Sequence, residues 1–82
     1  MEKRIGTVTL LVNDRSHSQE INAILSQFGD IILCRQGLPF RDRPVSVISL
    51  IVEGSVSEIN AMTGQLGRIP GVGCKAVVAK QN

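Results

Sequence analysis

Polar and apolar residues alternate at the start of the chain. Val8, Leu10 and Val12 fall on one side of an extended segment, and Ile5, Thr7, Thr9 and Leu11 on the other, because successive side chains of a strand point to opposite faces. The alternation predicts a strand from Arg4 to Val12. "NDRSHSQE" then breaks it with turn and capping residues. Asp14 and Ser16 each suit the position before a helix, and Ser16 with Gln19 has the spacing of a capping box. Ile21, Ile24, Leu25 and Phe28 recur at helical steps and define one face of an amphipathic helix. Gly29 is placed to end that helix in a left-handed conformation.

Two further apolar runs follow, Asp30 to Leu38 and Val45 to Val52, with Pro39 and Pro44 bracketing the turn between them. Proline has no amide proton to give a strand interior, so both prolines belong at strand ends. Gly54 closes the third strand. "SVSE", Ser55 to Glu58, is a second capping box whose Glu58 favours the positive end of the helix dipole. Ile59, Met62, Leu66 and Ile69 carry the second helix; Gly67 can end it and Pro70 forbids its continuation. Val72 to Ala79 make a last strand.

The order βαββαβ is that of the ferredoxin-like split unit. The expected fold is α+β: a four-stranded antiparallel sheet with two helices on one face, since right-handed crossovers bring both helices to the same side. The first and third strands are expected in the centre, running parallel to each other, with the second and fourth at the edges. The whole chain, residues 1–82, reads as a single domain without linker or low-complexity tract.

On this layout the helices cover Val8, Leu10, Val12, Ile48, Leu50 and Val52, and leave Thr7, Thr9, Leu11, Val47, Ser49 and Ile51 bare. The bare set is half apolar and carries no charge, whereas a well-solvated surface usually does. The expectation is a homo-oligomer, a dimer or tetramer, built by face packing, edge-strand pairing or both. The plain alternative is a Thr-rich β-surface with no partner.

Composition changes this picture little. A chain of 82 residues buries only about 60–65% of the surface it exposes when unfolded, so a partner subunit would add useful stability. There is no Trp or Tyr, and the apolar mass is Ile, Val and Leu. The net charge of +2 does not by itself indicate a nucleic-acid partner. The opening lacks a signal-peptide pattern, and no apolar run approaches the ~20 residues that span a bilayer. A cytoplasmic setting with reduced Cys34 and Cys74 is the expectation.

The inventory for catalysis is thin. His17 is the single histidine, at the start of the first helix, where a solvated first-turn role is the usual one. Cys34 and Cys74 are expected on opposite edge strands, too far apart for a shared metal, and Cys34 reads as a small core hydrophobe. The carboxylates are scattered, and "GQLGRIPGVG" follows a helix rather than opening one, the wrong context for a phosphate loop. No active site, metal or cofactor is expected. The remaining candidate is basic: Arg35, Arg41 and Arg43 lie within nine residues of the hairpin and offer forked donors to a carboxylate or phosphate. Against that stand two plainer roles, protection of a sheet edge from aggregation and an ion pair between subunits, for example with Asp42.

The stretches "EKRIGTVTLLVNDR", "DIILCRQGLPFR" and "MTGQLGRIPGVGCKAVV", with the Arg35–Gly37–Pro39 run and Gly64 to Val72 as their most recognisable pieces, resemble the small regulators assigned to the iron-only hydrogenase system. That family is similar in fold to ACT domains and to the C-terminal domain of the nickel-responsive repressor. The resemblance implies a self-associating regulatory module that takes a small effector. The repressor domain holds its metal with several histidines and a cysteine, whereas this chain has one histidine. Amino-acid-binding ACT domains usually carry a glycine-bearing loop after the first strand, whereas here that loop is "NDRSHSQ".

The functional expectation is a non-enzymatic regulatory domain that senses a small ligand. Its candidate site is lined by Asn13, Asp14, Ser16 and His17, with Arg35, Arg41 and Arg43 nearby. A protein-interaction or scaffold module for hydrogenase maturation, without an effector, is the alternative. Direct nucleic-acid binding is not expected, because three arginines and two distant phenylalanines make neither a stacking platform nor a groove-reading helix.

Overall fold

Strand β1, Arg4–Val12, runs through the middle of the sheet and has a neighbour on each side. It pairs antiparallel with β3, Ser46–Gly54, along its full length, and with β4, Val72–Val78, from Gly6 to Val12. Strand β2, Ile32–Pro39, lies outside β3, giving the order β2-β3-β1-β4. The computed structural model describes residues 2–80. Its element order is the βαββαβ read from the sequence, with helices α1, Ser18–Gln27, and α2, Val56–Gly67.

The central pair departs from expectation in direction. β1 and β3 are neighbours, but they run antiparallel. The hairpin makes β3 oppose β2, and the α1 crossover leaves β1 and β2 pointing the same way, so β3 between them must oppose both.

Both helices bury one face against the same side of the sheet. Ile21 and Leu25 of α1 and Ile59, Met62 and Leu66 of α2 join Val8, Leu10, Val12, Leu50 and Val52 in one core. Seven of these, Val8, Leu10, Leu50, Val52, Ile59, Met62 and Leu66, are 0% exposed. The strand residues are those assigned to the covered face by alternation, and Ile48 packs against them partly buried.

Local chemistry explains most of the boundaries. The second capping box forms: Ser55 Oγ accepts from the Glu58 amide at 3.1 Å, and Glu58 Oε1 accepts from the Ser55 amide at 2.9 Å. The first does not. Asp14 Oδ1 takes the Ser16 amide at 3.0 Å and starts a short 3-10 turn, Arg15–His17, so that α1 begins only at Ser18. An aspartate two residues ahead of an amide closes an Asx turn, which competes with a longer-range box. Gly29 likewise does not turn left-handed. It opens a 3-10 turn, Gly29–Ile31, that buries Ile31 and delays β2 to Ile32. The positive φ, 79°, belongs instead to Gly71, between α2 and β4.

Candidate functional site

The chemistry of β2 depends on one irregularity. Ile32 faces Val52 across the hairpin, yet Cys34 faces Ile51, so Leu33 is an extra residue, a bulge. One inserted residue moves every later side chain to the opposite face of the sheet. Cys34 is thereby exposed on the bare face, not in the core as expected. Arg35 is carried to the helix side, opposite Leu50, whose other neighbour across β1 is Val8. Exposed at the sheet edge beside the buried Leu50 and Val8, Arg35 reaches over α1 and donates from Nη2 to Asn22 Oδ1 at 2.7 Å. The four consecutive apolar residues Ile31 to Cys34, where alternation should rule, are the trace the bulge leaves in the sequence.

The loop after β1 lies at the same end of the sheet as the hairpin turn. Asn13 gives its backbone N–H (2.8 Å) and its side-chain amide (3.3 Å) to the Gly71 carbonyl, joining this loop to the segment before β4. A Cβ on Gly71 would come within 3.3 Å of the Asp14 Cβ, which with its φ explains the glycine. His17 lies between two carboxylates, its Nδ1 2.9 Å from Glu20 Oε1 and its Nε2 4.0 Å from Asp14 Oδ2. The Ser16 amide and then its hydroxyl hold the Asp14 carboxyl below its ordinary range. Asn13, Asp14, Ser16 and His17 are therefore brought together in one loop.

The three hairpin arginines are not. Arg35 stands over α1, whereas Arg41 and Arg43 lie in the bend beyond β2, with the Arg43 guanidinium 5.5 Å from the centre of the Phe40 ring. The residue that joins loop to hairpin is Arg15, which lies outside the set of candidate residues. Its Nη2 donates to the carbonyls of Phe40, of Arg43 (3.1 Å) and of Val45 (3.2 Å). A turn bracketed by Pro39 and Pro44 is short of amide donors for its own carbonyls, the one hint in the sequence that an outside donor would be needed.

Beside Arg35 a cleft of about 90 Å³ opens between α1 and the sheet. Val12, Ile21 and Ile48 make its apolar wall, and Ser18, Asn22, Ser46 and Arg35 its polar rim. The opposite face of the sheet carries Thr7, Thr9, Leu11, Ser49 and Ile51 exposed and Val47 half-buried, as expected from alternation. It also carries Ile5, Leu38 and Val77, the last 71% exposed. Among the described residues no group of three or more His, Cys, Asp or Glu could hold a metal ion, and no helix is long and apolar enough to cross a membrane. Cys34 and Cys74 are on opposite edge strands, and burial pushes the Cys74 thiol up.

The fold and its sequence both have relatives. No curated protein matches the chain significantly. The uncharacterized protein TM1266 from Thermotoga maritima superposes with a TM-score of 0.92 and 36% identity, over 96% of this chain and 100% of that one. CutA1 from Oryza sativa shares the fold at 15% identity, with a TM-score of 0.55 over 96% of this chain and 83% of its own. A family model, TM1266-like, described as "Iron-only hydrogenase system regulator, putative", matches residues 4–76, which include the β1 loop, the bulge, the hairpin and the Gly71 turn. On that match and the extent of the TM1266 likeness, the chain belongs to the TM1266-like family.

Proposed function

We propose that the protein is a regulatory module that associates with a second copy of itself through its bare sheet face and answers to a small ligand bound at the α1 end of the sheet. The observation that carries the reading is the bare face. Ile5, Leu11, Leu38, Ile51 and Val77 are exposed there among Thr7, Thr9 and Ser49, and its charged members, Glu53 and Lys75, are of opposite sign. A second copy turned about a two-fold axis offers the same mixture back, so apolar contacts and the two charges are mutually complementary.

The area agrees. A folded monomer of this size exposes about 4,800 Å², whereas this chain exposes 5459 Å². The excess, roughly 700 Å², is surface of the kind that a partner can cover. The family description supports a regulatory role in the iron-only hydrogenase system. A module of this kind transmits a signal when ligand binding changes how its copies associate.

Sedimentation of the purified chain tests the association. The expected result is a dimer or tetramer at micromolar concentration, converted to monomer by Ile51→Lys and unchanged by Gln27→Lys on the exposed side of α1. A wild-type monomer at several hundred micromolar, or an Ile51→Lys variant that still assembles, would overturn it.

A further inference from the structure

The bulge at Leu33 has a chemical consequence beyond the geometry of β2. It places a guanidinium in a row where β3 and β1 contribute Leu50 and Val8, both 0% exposed. Among the described residues no carboxylate pairs with Arg35. Asn22 accepts one of its N–H groups at 2.7 Å and tethers the head group beside α1. A guanidinium has five donors, and those left over form the planar fork that matches a carboxylate.

The cleft beside it is divided. Val12, Ile21 and Ile48 form an apolar wall, the rim is Arg35 with neutral polar side chains, and no acidic residue lines it. Ser18, on that rim, is the first residue of α1, and both its amide and its hydroxyl (2.7 Å) donate to the Arg15 carbonyl, so the charge-assisted donors at the cleft are those of Arg35. The volume, about 90 Å³, is about three times the share of one water in the liquid. That holds about three non-hydrogen atoms within the cleft, leaves the rest of a small ligand at its open mouth, and admits no nucleotide.

The geometry points to a binding site for a short-chain aliphatic monocarboxylate, of two to four carbons, with its carboxylate on the Arg35 fork and its alkyl tail against Val12, Ile21 and Ile48. This rests on the reading that the module answers to a small ligand, and it names the class. Inorganic phosphate satisfies the fork but leaves the apolar wall unused, so it binds more weakly. Arg41 and Arg43 stand in the hairpin bend, outside the cleft lining, and take no part.

The test is a nitrogen-15 NMR titration of the full chain with sodium butyrate, sodium phosphate and sodium chloride at matched ionic strength. Butyrate should give saturable shifts centred on Ser18, Asn22, Ile48 and the Arg35 side chain. Phosphate should bind at least tenfold more weakly, and chloride should leave these signals in place. Arg35→Met should weaken butyrate at least tenfold, Arg35→Lys less, and Arg41→Met not at all. No saturable shift at 50 mM butyrate, unchanged affinity in a folded Arg35→Met, or phosphate as tight as butyrate would each overturn the site. Sedimentation of the same samples separates the two ideas: a dimer that ignores butyrate removes the cleft alone, and a monomer that binds butyrate removes the association alone.

Discussion

The two faces of the sheet are made from the same strands and meet different fates. Leu50 and Ile51 are consecutive, similar in size and both aliphatic, yet Leu50 is 0% exposed under the helices and Ile51 is 42% exposed on the other side. The helix face is closed within the chain and holds its stability. The bare face has comparable side chains and no cover among the described residues, so within the monomer they contribute only through their cross-strand neighbours. The comparison separates residues that fold the monomer from residues that the proposed association would use.

Truncating each neighbour in turn gives the sharpest contrast. Leu50→Ala should cost about 2–5 kcal/mol of unfolding free energy, the usual range for emptying a core site. Ile51→Ala should cost under about 1 kcal/mol in the dilute monomer, and its main effect should be a weaker association. Urea denaturation at low and high protein concentration measures both. Equal losses at both sites and both concentrations would erase the distinction between the faces.

A smaller effect comes from the lid on the covered face. Ser55→Ala removes the oxygen that holds the Glu58 amide and should cost about 1 kcal/mol, a fall of about 4–8 °C in Tm for a domain of this size. The loss should appear in the monomer and leave self-association unchanged. If it altered assembly more than melting, the helix side would belong to the interface as well.

Acidification gives the smallest effect, with a defined sign. The Ser55 amide, then its hydroxyl, holds the Glu58 carboxyl below its ordinary range, as the Ser16 amide and hydroxyl do for Asp14. A carboxylate depressed on folding adds stability that is complete above its unfolded pKa and is lost as pH falls through the folded value. Tm should therefore decline as pH drops below the ordinary carboxylate range. Glu58→Gln, which keeps an acceptor for the Ser55 amide but no titrating group, should flatten part of that decline. A Tm profile identical in wild type and Glu58→Gln would show that the box contributes nothing to acid sensitivity.

Much of this was legible along the chain. The alternation of Thr7 to Val12, the helical recurrence of Ile21 to Phe28 and the box at Ser55 and Glu58 are short-range patterns, and each became the element it implied. The candidate site was legible in part. Asn13, Asp14, Ser16 and His17 share one loop because they are near in sequence. Arg35, Arg41 and Arg43 are also near in sequence but are separated, since a strand and its bend point side chains in unrelated directions. Arg15 was missed because its partners, the carbonyls of Phe40, Arg43 and Val45, lie at least 25 residues away along the chain.

By itself, then, the sequence determined the order of elements, the covered and bare sets on β1 and β3, and the capping of α2. These follow from periodicity and from hydrogen bonds spanning a few residues. Tertiary structure alone decided that Leu33 bulges, that Cys34 turns outward, and that Arg35 reaches the cleft beside Asn22. Register is a relation between strands distant in sequence. A single extra residue in one of them reverses which side chains meet the helices, and that choice is settled only when the strands pair.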